Sequence, residues 1–454
     1  MKKTKQNILL INPWIADFAA YDLWAKPLGL LYIGAFLRHY GYDLALLDFL
    51  DRNKWHKGTD KTSNTGRGKY HRQVIDKPKV LAHVPRHFAL YGATEAQIKN
   101  ALSSMTPPSA ILITSHMTYW YVGVQKTIKI LRRYFPDVPI ILGGSYVTLC
   151  ENHAHNHMDA DYFITGHGEK KALQILDSLH GINRNYAKIP DYDDSNFPPY
   201  ELYDNLDTLP LMTSRGCPNR CSYCATKKLH PRFSRRSVDN LLAEIRYNIE
   251  RYGITRYAFY DDALFANKEQ YSIPFLKAII AMDKTFEFYS PNGLFARAID
   301  KELAELMKQS GFKMVRLSLE SSISRWQAAS SNKVSQQDFR QAVKHLLKAG
   351  YSGAVIEAYL IMGLPGQSYR DVKESIEFVY NTGAISRLAS FTPIPGTEDW
   401  QRAVSMKLLD PDIDPLLTNN SLYPCASPDL TVAQFRELKD YANQLNNKLR
   451  EQER

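Results

Sequence analysis

Thr208-Leu-Pro-Leu-Met-Thr-Ser-Arg-Gly-Cys217-Pro-Asn-Arg-Cys221-Ser-Tyr-Cys224 joins an apolar, strand-like run to three cysteines packed into eight residues. The spacing is C-x3-C-x2-C, and the first cysteine sits in a Gly216-Cys217-Pro218 turn. Three thiolates this close can wrap one soft metal centre. Structural zinc takes a fourth Cys or His. The nearest candidate, His230, follows Cys224 after five residues, a spacing that matches no common finger. An iron–sulfur cluster held by three cysteines keeps one iron open for an exogenous ligand. The spacing alone leaves both readings open.

Downstream, candidate strands fall at 208–214, 255–261, 286–292, 314–320, 354–362 and 387–393. Helical patterns lie between them at 237–252, 268–283, 300–310, 335–349 and 369–382. In 300–310, Asp300 is a suitable N-cap, Leu303, Leu306 and Met307 form the apolar stripe, and Gly311 ends the helix. Six strand–helix units predict a (β/α)6 partial TIM barrel over 208–399, reactive at the carboxyl ends of its strands. Residues 400–454 read as a C-terminal helical appendage ending in a charged helix, 431–452.

Upstream, strands at 7–12, 43–48, 110–115, 138–142 and 162–165 alternate with helices near 27–40, 94–104, 123–135, 147–157 and 169–180. In the first helix Leu28, Leu31, Tyr32, Ala35 and Phe36 share one face. This α/β alternation predicts an N-terminal doubly wound, Rossmann-like parallel sheet over 1–182. Ligands in such sheets bind outside the carboxyl ends of the strands, here the loop 13–26, the stretch 115–121, and Gly143-Gly144-Ser145. Residues 183–207, with Pro190, Pro198 and Pro199, read as a linker.

The net charge of +10 is local: residues 52–92 hold ten Lys/Arg against two Asp. That pattern argues against a uniformly basic nucleic-acid surface. This insertion also carries His56, His71, His83 and His87. It reads either as a solvated loop or as a lid for an anionic ligand. The run Lys227-Lys228 to Arg235-Arg236 reads as carboxylate-binding or as a surface turn. With 44% hydrophobic and 23% charged residues the chain is globular. No apolar run reaches the ~18–20 residues of a transmembrane segment. The apolar stretch behind Met1-Lys2-Lys3-Thr4-Lys5 is too short for a signal peptide, so a cytoplasmic location is expected. Five cysteines are too few for a disulfide scaffold. Cys150 and Cys425 read as small hydrophobes.

The C-x3-C-x2-C with aromatic Tyr223 before its last cysteine, after strand one of a (β/α)6 barrel, resembles the radical S-adenosylmethionine superfamily. The resemblance covers about 208–396 and extends to other strand ends. Tyr260-Asp261-Asp262-Ala263-Leu264-Phe265 is similar to the family's contact with the methionine amino group, as a variant of its commoner Gly-Gly-Glu. Ser318-Leu319-Glu320-Ser321 stands where the family places polar contacts to ribose and carboxylate. Ile361-Met362-Gly363-Leu364-Pro365-Gly366-Gln367 is similar to the motif beside the adenine, with Gln367 where Glu is common. Pro393-Ile394-Pro395-Gly396-Thr397 is another recurrent pattern. The resemblance implies that Cys217, Cys221 and Cys224 are the metal ligands and catalytic centre. They would hold a [4Fe–4S] cluster that reductively cleaves S-adenosylmethionine to a 5′-deoxyadenosyl radical. It also implies an electron donor such as flavodoxin or ferredoxin.

The upstream sheet resembles the cobalamin (B12)-binding domain of the cobalamin-dependent branch, on Pro27-Leu28-Gly29-Leu30-Leu31-Tyr32-Ile33, Gly143-Gly144 and Gly166-His167-Gly168-Glu169. It departs in lacking D-x-H-x-x-G after strand one, so no lower-axial His of that kind is expected. No His occurs in 12–26, and His116, Trp120 and Trp14 are possible corrin neighbours. The methylthiotransferase branch needs three N-terminal cysteines, and only Cys150 lies here. The resemblance implies methyl transfer to an unactivated carbon from methylcobalamin. The alternatives are a cobalamin-independent oxidation, rearrangement or cyclisation, or, in another class, a metal-bearing nucleic-acid-binding module. Small-molecule, lipid or peptide substrates stay open, and nucleic acid is not favoured.

Overall fold

The computed structural model describes residues 6–56, 66–192 and 196–453. Residues 1–5, which carry the signal-like start, 57–65 of the basic insertion, and 193–195 of the linker lie outside the described residues, as does 454. The chain divides into two units, Met1–Asp207 with Asp414–Leu417, and Thr208–Ile413 with Thr418–Arg454.

The first unit is built on five parallel strands: β1 (Asn7–Asn12), β2 (Asp43–Asp48), β3 (Ala110–Ile113), β4 (Ile140–Gly143) and β5 (Tyr162–Ile164). Their order is β5-β4-β3-β1-β2. β1 is central and pairs in parallel with both β2 and β3. Its Ile8–Ile11 run is fully buried, as expected of a strand covered on both faces. The chain leaves β1 to one side for β2 and returns to the other for β3, so the switch point lies between β1 and β3. The helix Leu28–His39 buries the five residues assigned to its inner face.

Three features of this unit differ from expectation. The helix expected at 147–157 is two pieces, Ser145–Leu149 and Glu151–His157, broken at Cys150. The linker is not loose: Tyr200 is fully buried and the Tyr203 hydroxyl donates to Asp48 at 2.7 Å. The basic insertion is not a plain loop. Phe88–Tyr91 is the middle of a three-stranded antiparallel sheet, paired on one side with Arg72–Ile75 and on the other with Ile15–Asp17, which directly follows β1.

The second unit carries β6 (Leu209–Leu211), β7 (Arg256–Phe259), β8 (Glu287–Tyr289), β9 (Val315–Glu320), β10 (Ile356–Met362) and β11 (Ile385–Ser390). β6-β7-β8 and β9-β10-β11 are parallel ladders. Parallel bridges Phe288–Phe312 and Leu294–Leu317 join them. No bond from β11 back to β6 closes the ring among the described residues, so this is a partial barrel. Asp300 caps the helix Lys301–Ser310 and Gly311 ends it at φ +101°. The final helix, Val432–Gln452, is more than an appendage. It buries Phe435, Leu438, Ala442, Leu445 and Leu449, and packs on β11.

Candidate functional site

β6 ends at Leu211, sooner than expected, because the buried Asp261 carboxylate at the end of β7 captures the next residues. It accepts hydrogen bonds from the Thr213 N–H at 3.1 Å, the Thr213 hydroxyl at 2.7 Å and the Ser214 hydroxyl at 2.5 Å. Ser214–Arg215 then pairs antiparallel with Ser234–Arg235, and the cysteine loop hangs between these two short strands. Gly216 turns the chain into the loop at φ +79°.

Cys217 and Cys221 are half-buried and Cys224 is exposed. The Asn219 amide donates to the Cys217 sulfur at 3.7 Å, and the Thr226 N–H donates to the Cys224 sulfur at 3.5 Å. Such donors favour thiolates over thiols. Burial works the other way and raises the Cys217 and Cys221 thiols. No three His, Cys, Asp or Glu side chains already stand as a ligand shell among the described residues. The loop presents three soft donors within eight residues. This donor set fits a thiolate-held cluster with one open position.

The loop is tied down from two sides. The Ser222 N–H donates to the Ala329 carbonyl at 2.9 Å, and its hydroxyl donates to the fully buried Asp399 at 2.7 Å. The Tyr223 ring packs against the cluster of Trp326, Ile361, Leu364, Phe391 and Trp400.

The other expected residues divide into mouth-facing and structural groups. Asp262 is exposed and receives the Thr226 hydroxyl at 3.3 Å. Poor hydration around it and the charge of Asp261 push its carboxyl up to about 6. Asp261 faces the strand it supports. Glu320 ends β9 beyond an irregular register and sits at φ +68°, a left-handed conformation rare for this residue. Its carboxylate accepts from Lys333 Nζ at 2.7 Å, and the same ammonium donates to the Tyr223 hydroxyl at 3.1 Å. Burial opposes the ammonium form of Lys333, but Glu320 and the Cys221 sulfur outweigh it and hold the lysine above its ordinary value. Lys333 was missed because nothing in Ser330-Ser331-Asn332-Lys333 distinguishes it from a surface lysine.

Ser318 lies half-buried against Gly293, where a Cβ would meet its Oγ at 2.0 Å. Ser321 instead turns into the core and bonds Ser375 Oγ at 3.2 Å. Gly363, at φ +97°, leaves room for Phe435, which a Cβ would meet at 2.7 Å; Pro365 is in the same loop. Gln367 folds that loop. Its Oε1 accepts from Gly363 N at 2.7 Å and its Nε2 donates to Ile361 O at 3.1 Å. An ionised Glu would lose the second bond. The Lys227–Arg236 run resolves as structure at its far end: Arg236 is buried against Glu244 at 2.5 Å.

In the first unit, Gly144 is required by packing: at φ +103° a Cβ would meet Ser115 O at 2.2 Å. Gly143 has no such constraint. Trp14 is core, its indole donating to Ala93 O at 2.6 Å. At the switch point His116 and Met117 are exposed, and the half-buried Trp120 is fixed by Asp17 at 2.7 Å. An exposed imidazole and thioether beside an indole suit a large, partly apolar ligand.

Residues 211–379 match the radical SAM superfamily. Cytidylyl-2-hydroxyethylphosphonate methyltransferase of Streptomyces wedmorensis is 22% identical over 90% of this chain and 83% of its own. An uncharacterized methyltransferase of Pyrococcus horikoshii is 24% identical over 72% of this chain and 75% of its own. The radical S-adenosylmethionine methyltransferase TsrM from Kitasatospora setae shares the fold, at TM-score 0.63 and 14% identity. That match covers 86% of this chain and 75% of TsrM. No described helix is long and apolar enough to cross a membrane. With three cysteines on the first strand's loop of a six-stranded partial barrel, residues 211–379 form a radical SAM domain, and the chain is an enzyme.

Proposed function

We propose that this enzyme is a cobalamin-dependent radical S-adenosylmethionine methyltransferase acting on an unactivated carbon. The observation that carries the reading is the pairing of the cysteine-bearing partial barrel with a doubly wound sheet whose switch point exposes His116 and Met117. The Streptomyces wedmorensis relative is named as a methyltransferase, and TsrM has been solved with cobalamin and a [4Fe–4S] cluster bound.

Cys217, Cys221 and Cys224 would hold the cluster. Asp262, Ser318, Glu320, Gly363 and Pro365 would receive S-adenosylmethionine, with Lys333 bonded to both Tyr223 and Glu320 and holding Glu320 in place. The first unit would hold the corrinoid at the carboxyl ends of β1 and β3, without a histidine from 12–26. When bound, the cluster supplies the electron that cleaves the sulfonium, and the corrinoid supplies the methyl group. The chain's own residues do the rest: Asp262 accepts the ammonium, and the Ser222–Asp399 tie fixes the loop. The substrate is a small molecule, with an external electron donor of the flavodoxin or ferredoxin kind, in the cytoplasm.

The test is anaerobic reconstitution with iron, sulfide and hydroxocobalamin, then desalting and metal analysis. About four iron and about one cobalt per chain are expected, with iron lost in Cys217→Ala, Cys221→Ala or Cys224→Ala. Iron without cobalt would overturn the corrinoid half, and zinc in place of iron would overturn both.

A further inference from the structure

Residues 66–92 of the basic insertion fold into a canopy over the switch point. Its antiparallel strands grow directly from the end of β1, through Ile15–Asp17. Ile15, Tyr70, Ala89 and Tyr91 form its buried face, and Leu50 and Trp120, which follow β2 and β3, pack against them. The canopy is therefore seated on the carboxyl ends of three strands, where doubly wound sheets take their ligands. Arg52 fastens its entry. The guanidinium bonds Asp22 at 2.9 Å and the Gly66 carbonyl at 2.6 Å. It lies so close to Gly68 that a Cβ there would meet Nη1 at 1.9 Å.

On this platform Arg72 is the direct cross-strand partner of Tyr91, so both side chains leave the same face. Arg86 lies over the Phe18 ring at 4.8 Å, and the Tyr91 hydroxyl donates to the Phe18 carbonyl at 3.0 Å. Burial raises the Tyr91 hydroxyl, while Arg72 and Arg86 both pull it down. Arg72 thus stands opposite Tyr91 and Arg86 over Phe18, whose carbonyl receives that hydroxyl, and both arginines are exposed. Asp17, the carboxylate acting on the same hydroxyl, already accepts from Trp120 Nε1 at 2.7 Å and Phe18 N at 2.5 Å. Residues 66–92 otherwise carry Arg67, Lys69, Lys77 and Lys79 against the single Asp76.

We propose that Arg72 and Arg86, flanking Tyr91, form a subsite for a phosphate or phosphonate group. A planar guanidinium matches two oxygens of such a group at once, and a second adds charge that one lysine could not. The stacking of Arg86 on Phe18 and the pairing of Arg72 on a strand hold the forks in place before the ligand arrives. The anion has two possible sources: the phosphodiester of a corrinoid's nucleotide tail, or a phosphorylated substrate. The first rests on the corrinoid reading above; the second does not.

The experiment uses the full chain with its cluster reconstituted, as wild type and as Arg72→Gln/Arg86→Gln. Hydroxocobalamin is titrated against cobinamide, the same ring without the nucleotide phosphate. Thermal midpoints are taken with inorganic phosphate against chloride at matched ionic strength. A wild-type preference for hydroxocobalamin that falls roughly tenfold or more in the double variant assigns the subsite to the corrinoid tail. A preference that survives, with phosphate stabilisation lost, assigns it to a phosphorylated substrate. A double variant equal to wild type in both comparisons overturns the proposal. So does a wild type that shows neither preference nor stabilisation. Arg72→Gln alone, an exposed change, gives the same readout should the double variant fold poorly. Failure of wild type to bind either corrinoid would strike the corrinoid reading and leave the phosphate comparison to decide the subsite.

Discussion

Ser222 and Asp399 are bonded twice: the Ser222 hydroxyl donates to the Asp399 carboxylate at 2.7 Å, and the Asp399 N–H donates to the Ser222 carbonyl at 3.0 Å. The middle of the cysteine loop is thereby fastened to the first turn of the helix Glu398–Ser405. Removing the carboxylate leaves a buried hydroxyl and the Arg402 cation without it, a loss of about 1–3 kcal/mol. Asp399→Ala should lower the thermal midpoint. After reconstitution and desalting it should keep clearly less iron than wild type, although no ligand has changed. Wild-type iron retention would show that the loop holds its shape without this tie.

The two neighbouring aspartates at the end of β7 should separate cleanly. Asp262→Asn removes a charge from a side chain open to the mouth. It should weaken S-adenosylmethionine binding by roughly tenfold or more at an unchanged thermal midpoint. Asp261→Ala strips the Thr213 and Ser214 bonds from a buried site and should cost about 3 kcal/mol of stability. Equilibrium binding beside a melting curve checks both. Equal loss of affinity without loss of stability in the two variants would refute the division.

The strand ends were legible because turn chemistry marks them: Gly216, Gly363 and Gly396 all adopt positive φ where the sequence places loops. The barrel strands follow for a similar reason, because the helices between them start at side-chain caps at Ser237, Asp300, Ser335 and Ser368, with Ser272–Ala281 the exception. Side-chain direction was not legible. Asp261 and Asp262 are adjacent, yet one turns to the core and one to the mouth. Beyond Ser318 an irregular register breaks the alternation that a regular strand would allow one to count, so the directions of Glu320 and Ser321 could not be read from the sequence. Long-range partners were also hidden. Lys333 reaches Tyr223 across 110 residues, and Asp399 reaches Ser222 across 177. No local pattern encodes either distance.

Asp48, at the end of β2, is buried under the Tyr203 hydroxyl, with Asn12 and Leu50 N also donating to it. Burial pushes its carboxyl up to about 6, despite the nearby Lys26. The folded form then binds this proton more tightly than the unfolded form, whose carboxyl titrates near 3.8. The stability from this group is present below about 4 and falls as pH rises towards 6, by about 3 kcal/mol at most. Asp48→Asn should therefore be neutral or stabilising at pH 7 and should flatten the stability profile between pH 4 and 6. The Tyr203 hydroxyl can turn to accept from the new amide. Denaturant midpoints across that range check it, and strong destabilisation at pH 7 would mean the charge is needed.

Gly143 and Gly144 end β4 side by side but answer to different constraints. Gly144→Ala places a methyl against the Ser115 backbone in a left-handed conformation, where neither neighbour can yield. It should destabilise the first unit by about 2 kcal/mol or more and abolish corrinoid retention. Gly143→Ala meets only Ile164, at 3.5 Å, and should fold as wild type. A folded Gly143→Ala that no longer retains corrinoid would show that the ligand itself approaches that Cα, and would restore Gly143 as a contact. Thermal melts with cobalt analysis distinguish the two residues.

The open edge of a partial barrel is a row of unpaired backbone groups, and here a side chain answers it. The Asn446 amide accepts from Ser386 N and donates to Ser386 O, both at 2.9 Å, so one residue of the final helix imitates a neighbouring strand on β11. At the end of the same helix Glu453 accepts from Gly353 N at 2.6 Å and Ala354 N at 2.8 Å, capping the turn that leads into β10. Asn446→Ala should cost about 2–3 kcal/mol, because both Ser386 groups stay buried without a partner. Asn446→Asp should cost a similar amount, since a carboxylate can accept but not donate. A chain ending at residue 430 should lose the cover of the whole edge and aggregate. Chemical denaturation of the two point variants and light scattering of the truncated chain measure this. A monomeric truncated chain that still holds its cluster would show that the edge protects itself.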